Sequence, residues 1–206
     1  MEDDVVDGKM MITEFIGSLA VVYFASSAAD PAMAAGLVLA VMMLAFPGAM
    51  ILPWLTIGRM ASGAMDPQEG ALAFLMQLLG GIVAYSVHWW TATAALAAAG
   101  ADEMTWSVSS LTPETSVMTV VGAFLLMVVW QRLGGGWAMG VFAWMLMAGG
   151  LGVVNAGDLG GMIVFSEYTS ANLVSVLGTM ILGGVGCAVA MMFGDRILGE
   201  EAAAEE

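Results

Sequence analysis

Apolar residues run through this chain in long unbroken blocks, without the strict alternation of a half-buried strand or the single stripe of a soluble amphipathic helix. Six blocks stand out, at about residues 11 to 29, 32 to 50, 70 to 97, 114 to 132, 136 to 154 and 172 to 194. A bilayer core needs about 20 apolar residues per helix, so each block predicts one transmembrane helix. Weaker apolar stretches at about 53 to 62 and 159 to 169 follow the second and fifth blocks. Each is too short to span a bilayer but long enough for a half-helix.

The order of local motifs recurs after about 105 residues. Glu14-Phe15-Ile16-Gly17 opens the first block, Gly48 to Trp54 interrupts the end of the second, and Gln77-Leu78-Leu79-Gly80-Gly81 sits early in the third. Thr119-Val120-Val121-Gly122, Asn155 to Gly161 and Met180-Ile181-Leu182-Gly183-Gly184 follow in the same order. Three spans per copy is an odd number, so the copies must cross the membrane in opposite directions. The pattern predicts one channel-sized domain over residues 1–206, with inverted repeats at about 10–98 and 112–196 and acidic tails at 1–9 and 199–206.

Composition turns this into a statement about class. The chain is 60% hydrophobic and 11% charged, with a mean hydropathy of +0.91, which leaves too few polar groups to cover a soluble surface. The acidic segment before the first span lacks the basic region of a signal peptide, so that span is expected to be retained. With the N-terminus inside, the four basic residues, Lys9, Arg59, Arg132 and Arg196, all fall on the cytoplasmic side. Both termini are therefore expected in the cytoplasm, with the protein in a plasma or inner membrane.

The net charge of −14 resides mostly in the two ends and in the segment holding Asp102, Glu103 and Glu114. It fits either a solvated surface or a vestibule that attracts cations. No basic stripe suggests nucleic acid. Cys187, the single cysteine, lies inside the sixth span and reads as a small packing residue. No nucleophile with a base, no catalytic carboxylate pair and no metal-ligand cluster appears, so neither an enzyme nor a cofactor is expected.

At membrane depth, irregular backbone survives only where protein or a water-filled path covers it. Pro53 suits the first turn of a half-helix, and Asp158 could cap a second one starting at Leu159 or Gly160. Two such half-helices, in oppositely inserted repeats, would meet N-terminus to N-terminus near the midplane.

These motifs resemble those of the aquaporin and aquaglyceroporin family, the major intrinsic proteins, over nearly the whole chain. The family's Glu-Phe-x-Gly of span 1 stands as Glu14-Phe15-Ile16-Gly17, and its Gln-Leu-x-Gly of span 3 as Gln77-Leu78-Leu79-Gly80. Its first half-helix motif, Ser-Gly-Ala-x-x-Asn-Pro-Ala-x-Thr-x-Gly, matches Pro47 to Gly58 around Pro53. Ala138-Met139-Gly140 resembles the opening of span 5, and Leu177 to Gly184 the start of span 6. The resemblance implies an all-α membrane protein with six transmembrane helices and two re-entrant half-helices. It further implies a homotetramer in the lipid bilayer and a small neutral permeant, such as water, ammonia, a glycerol-like solute or a gas.

The departures lie at the centre. Leu52 replaces the first motif's Asn and Trp54 its Ala, while spacing from Gly140 puts the second motif at Leu159-Gly160-Gly161. The family's filter Arg is missing, and by spacing Met162 falls in its place, with Met147 as the filter residue of span 5. Leucine offers no hydrogen-bond donor, and a thioether lining favours dewetting, so slower water flux is expected.

Single residues leave choices open. Glu14 is either a proton or ion site or, as the resemblance implies, a brace for free half-helix backbone, which Thr119 at the matching place in span 4 could not supply. Asp158 is either a pore acid or a helix cap. His88, beside Trp89 and Trp90, fits an interfacial belt or a gate, and the 20 methionines fit packing or a copper path.

Overall fold

The computed structural model describes residues 8–151 and 155–198, all helix and connecting segments. The acidic tails, apart from Gly8 and Lys9, lie outside the described residues, as does the end of the fifth apolar block at 152–154. Eight helices follow in order: α1 Gly8–Ser27, α2 Pro31–Ala45, α3 Pro53–Ala61, α4 Pro67–Ala99, α5 Pro113–Leu133, α6 Gly136–Ala148, α7 Gly157–Val164 and α8 Ser170–Leu198. Two membrane helices, a half-helix and a long helix thus occur in sequence and then occur again.

Local chemistry sets most of the boundaries. Four of the five prolines in the sequence, Pro31, Pro53, Pro67 and Pro113, take the first position of a helix, where a missing N–H costs nothing. Before three of them stands a capping side chain. Asp30 accepts from Met33 N at 2.9 Å, Asp66 from Gln68 N at 2.8 Å, and Thr112 forms a reciprocal capping box with Thr115. Before Pro53 stands Leu52, which caps nothing. Gly100 and Gly134 end α4 and α5 in the left-handed conformation.

By length and composition α1, α4, α5 and α8 can each cross a membrane. They leave residues such as Val117, Val174 and Ile181 facing outward, as a lipid-solvated bundle requires. The protein is an integral membrane protein. Helices α2 and α6 are apolar but stop short of the blocks predicted for them, at Ala45 and Ala148 rather than near residues 50 and 154. After α2 the chain uses the remaining length to carry an irregular segment, residues 46–52, to the start of α3. Its last four residues, Ala49 to Leu52, are buried against protein.

Helix pairs are drawn together at small residues, since apolar burial alone does little to associate helices in lipid. At the crossing of α2 and α6, a side chain on Gly36 would lie 2.5 Å from Trp144 Cβ and 2.6 Å from the carbonyl oxygen of Gly140. Gly80 on α4 faces the backbone of Phe15 on α1, and Gly186 on α8 faces that of Val120 on α5. The half-helices lean on the two long helices, α3 on α8 and α7 on α4. The linker between α4 and α5 forms a strap that the apolar blocks did not announce. Met104, Trp106 and Val108 turn partly inward while Thr105, Ser107 and Ser109 face out, the period-two pattern of extended chain. Leu111 N fastens its end to Ser175 Oγ on α8 at 3.3 Å.

Replacing Gly140 with valine would force α2 and α6 apart against the Gly36 carbonyl and Ala40. The detergent-solubilised protein is expected to lose stability by about 1–3 kcal/mol, read as a lower melting temperature. Gly8→Ala, where the added carbon meets nothing within 4 Å, should leave it unchanged.

Candidate functional site

The residues that shape the centre begin with a backbone problem. Between α2 and α3 the chain leaves Met50 and Ile51 with amide groups that no helix satisfies, deep in protein where an unpaired N–H costs about 1–3 kcal/mol. Glu14 on α1 answers with both carboxylate oxygens: Oε1 accepts from Met50 N at 2.6 Å and Oε2 from Ile51 N at 2.7 Å. Gln77 on α4 donates from Nε2 to Glu14 Oε2 at 2.7 Å and to Thr56 Oγ1 on α3 at 2.8 Å. Ser18 Oγ in turn donates to the Gln77 carbonyl at 2.7 Å. All four side chains, Glu14, Ser18, Thr56 and Gln77, are buried. One carboxylate therefore ties α1, α3, α4 and the segment before α3 together.

The same contact holds an unfavourable backbone conformation. Ile51 has φ = 65°, the left-handed region that a β-branched residue rarely enters, at a cost of about 1–3 kcal/mol. Its N–H is fixed by Glu14, and its side chain enters the space left by Gly17, where an added carbon would lie 2.7 Å from Ile51 Cγ1. Glu14 and Gly17 are three residues apart on one face of α1. They act as a pair, one gripping the backbone of Ile51 and the other admitting its side chain.

Helix α7 begins differently from the expectation. It starts at Gly157, not at Leu159 or Gly160, and Asp158 forms no side-chain capping bond. Asn155 takes that role, its Oδ1 accepting from Gly157 N at 2.7 Å, while Ala156 packs on Gly81 of α4. Asp158 is solvent-accessible. Of the segment named as the second motif, Leu159 packs beside Met162, Gly160 approaches Tyr85 of α4, and Gly161 abuts the Trp106 indole of the strap. The offset that carries Gly80 to Gly183 also carries Leu52-Pro53-Trp54 onto Asn155-Ala156-Gly157. The repeat thus contained the signal for Asn155, which spacing from Gly140 alone missed.

Leu52 and Asn155, at the N-terminal ends of the two half-helices, line one small space with Val21, Ala35, Leu39, Ala143 and Met147. Its volume, about 10 Å³, is at the lower limit for a single water. Among the described residues, Asn155 is the only polar side chain in that lining. Met147 thus sits at the junction, whereas Met162 is buried with Val176 and Met180 in a separate cluster that includes Ile57, Phe74 and Trp106. Trp54 also points away. It is 1% exposed, with its ring against Gly183 of α8 and its indole N–H unpartnered.

The remaining candidates make local contacts. Thr119 Oγ1 donates to the carbonyl of Thr115 on its own helix, His88 Nδ1 lies 3.0 Å from Ser27 Oγ, and Cys187 is buried against Gly58 and Leu55 of α3. Beside the Phe46 to Met50 segment, a wider cavity of about 380 Å³ is lined by Lys9, Thr13, Glu14, Arg59 and Glu69 among others.

In this membrane bundle two half-helices present their N-termini to one narrow space, each leaning on a long helix of the other half. The chain has the aquaporin fold. It superposes on the X-ray structure of the aquaglyceroporin from Plasmodium falciparum with a TM-score of 0.72 at 16% sequence identity, covering 92% of this chain and 96% of that one. No protein-family model and no curated protein sequence matches it.

Removing the Glu14 carboxylate should show how much depends on it. Glu14→Ala orphans two buried N–H groups and is expected to destabilise the protein by about 1–3 kcal/mol for each. Glu14→Gln, which keeps one acceptor, should lose less. Thermal unfolding in detergent ranks the two, and equal stability of all three proteins would contradict the bracing role.

Proposed function

We propose that the protein is a membrane channel for small neutral molecules, its path running through the junction of the two half-helices. The observation that carries this reading is the small space bounded by Leu52 and Asn155 at the two half-helix starts and by side chains of α1, α2 and α6. Both half-helices direct the positive ends of their dipoles toward it, which disfavours cations there. Leu52, Pro53 and Trp54 form the first half-helix start, with Trp54 anchoring it on α8. Asn155 to Asp158 forms the second. Asp158 then stands in the place the resemblance gives to the filter Arg, an exchange of base for acid that sets this pore apart from an aquaporin of the usual kind. The channel is read as a homotetramer of two inverted repeats, with both termini in the cytoplasm. No catalytic step is assigned to it.

The narrowness of the junction favours a second reading, in which the fold persists in a non-conducting structural subunit. Stopped-flow measurements on proteoliposomes separate the two. A channel should exceed protein-free liposomes in flux of at least one of water, glycerol, ammonia or carbon dioxide, whereas rates equal to the protein-free control for all four would favour the structural subunit.

A further inference from the structure

Two of the four basic residues in this acidic chain, Lys9 and Arg59, line one cavity. It lies at the end of the bundle where α1 and α4 begin and α3 ends, and it shares no lining residue with the space between the half-helices. Its volume of about 380 Å³ falls within the range of small-molecule pockets, about 300–1,000 Å³.

Arg59 is poorly satisfied by the protein around it. Of its five N–H donors, one on Nη1 meets the Met50 sulfur at 3.4 Å, a weak acceptor, and one on Nη2 meets the Ala64 carbonyl at 3.3 Å. Nε is buried with no partner. Among the described residues no carboxylate pairs with this guanidinium. A place in the last turn of α3 accounts for a positive charge, but not for leaving it without a carboxylate in a chain of 18 acidic residues.

Two acids share the lining, and they differ. Glu14 already accepts three N–H bonds at 2.6–2.7 Å. Glu69, in the first turn of α4, is exposed, and its carboxylate is bonded to none of the described residues. A plain anion in this cavity would meet Glu69 as a like charge, and a plain cation would meet Lys9 and Arg59 in the same way. A ligand with both signs suits all three. Phosphate oxygens match the planar fork of a guanidinium, and Met10, Phe46 and Met65 supply apolar wall for a short carbon linker. We propose that this cavity binds a phosphoester that carries an amine, its phosphate held by Arg59 and Lys9 and its ammonium by Glu69. Such a group heads an aminophospholipid and also occurs as soluble phosphoethanolamine. Its binding does not depend on conduction at the half-helix junction.

The full chain in detergent is titrated calorimetrically with O-phosphoethanolamine, inorganic phosphate and ethanolamine. In a second arm the protein is weighed intact by mass spectrometry from micelles holding phosphatidylethanolamine or phosphatidylcholine, whose quaternary ammonium has no N–H for Glu69. Saturable binding of O-phosphoethanolamine, at least tenfold tighter than that of phosphate or ethanolamine, assigns the site to a soluble ligand. Retention of phosphatidylethanolamine over phosphatidylcholine assigns it to a lipid headgroup, and either result supports the proposal. Arg59→Gln should weaken the binding by about tenfold or more, the effect of losing one charge-assisted bond. Glu69→Gln should weaken the amine-bearing ligand to a similar degree while inorganic phosphate binds as well as before or better, a split that a purely structural role would not produce. Glu69 is exposed, so this variant carries the test should Arg59→Gln fail to fold.

Absence of binding in both arms overturns the proposal. So does binding that a folded Arg59→Gln protein retains in full, or a phosphate affinity equal to that of O-phosphoethanolamine in wild type, which would mark a plain anion site. Removing residues 2–6 of the acidic N-terminal segment supplies the last control: binding seen only in the shortened protein overturns the proposal, because the chain's own carboxylates would then be the occupant.

Discussion

Everything at the centre of this molecule depends on a single buried carboxylate meeting two backbone N–H groups. A chain that must stop its helix inside the membrane and start another pointing the opposite way exposes amides that lipid cannot satisfy. Glu14 takes two of them and passes the constraint through Gln77 to Thr56, so that α3 is positioned by side chains of α1 and α4. Carrying a charge into this depth costs several kcal/mol. The three charge-assisted bonds to Glu14, each worth about 1.5–3 kcal/mol, offset it, and what remains is geometric definition of the segment that leads into α3.

That geometry explains why the frame and the lining follow different rules. The frame residues, Glu14, Gly17, Gln77 and the glycines at the helix crossings, are constrained on all sides by backbone and by one another. Leu52, which lines the junction space, makes no side-chain bond to that network. Leu52 fits the junction as well as a polar residue would as far as the fold is concerned, because Pro53 alone begins α3 without a side-chain cap. An apolar centre can therefore arise without disturbing the scaffold around it.

The frame was correspondingly legible in the sequence. Six apolar blocks, two short interruptions, a helix-starting Pro53 and a lone intramembrane Glu14 follow from bilayer thickness and from the cost of unpaired polar groups. The second half-helix was not so readable. It has eight residues, too few for a periodic pattern, and it starts without proline. Placing its motif four residues late shifts it by about 6 Å along the axis, at 1.5 Å per residue. Met162 was thereby assigned to the pore, and in the structure it lies among Val176 and Met180 instead. The strap from Met104 to Val108 escaped for another reason. Its alternation spans five residues between two long helices, where an apolar-block reading registers only a polar gap.

The fit of Ile51 into the space above Gly17 carries a consequence for how such sequences diverge. Gly17 lies in α1 and Ile51 in the irregular segment before α3, 34 residues apart in the chain, but side chains at the two positions compete for one volume beside a strained backbone angle at 51. Position 17 is not free to change alone: a side chain gained there requires one surrendered at 51, whereas a glycine at 51 would lift both the clash and the strain at once. Evolution along this lineage must therefore step through the pair in a fixed order, shrinking at 51 before growing at 17. Two positions that look unrelated in the sequence are thus coupled in one direction, the freedom of 17 set by the size of 51.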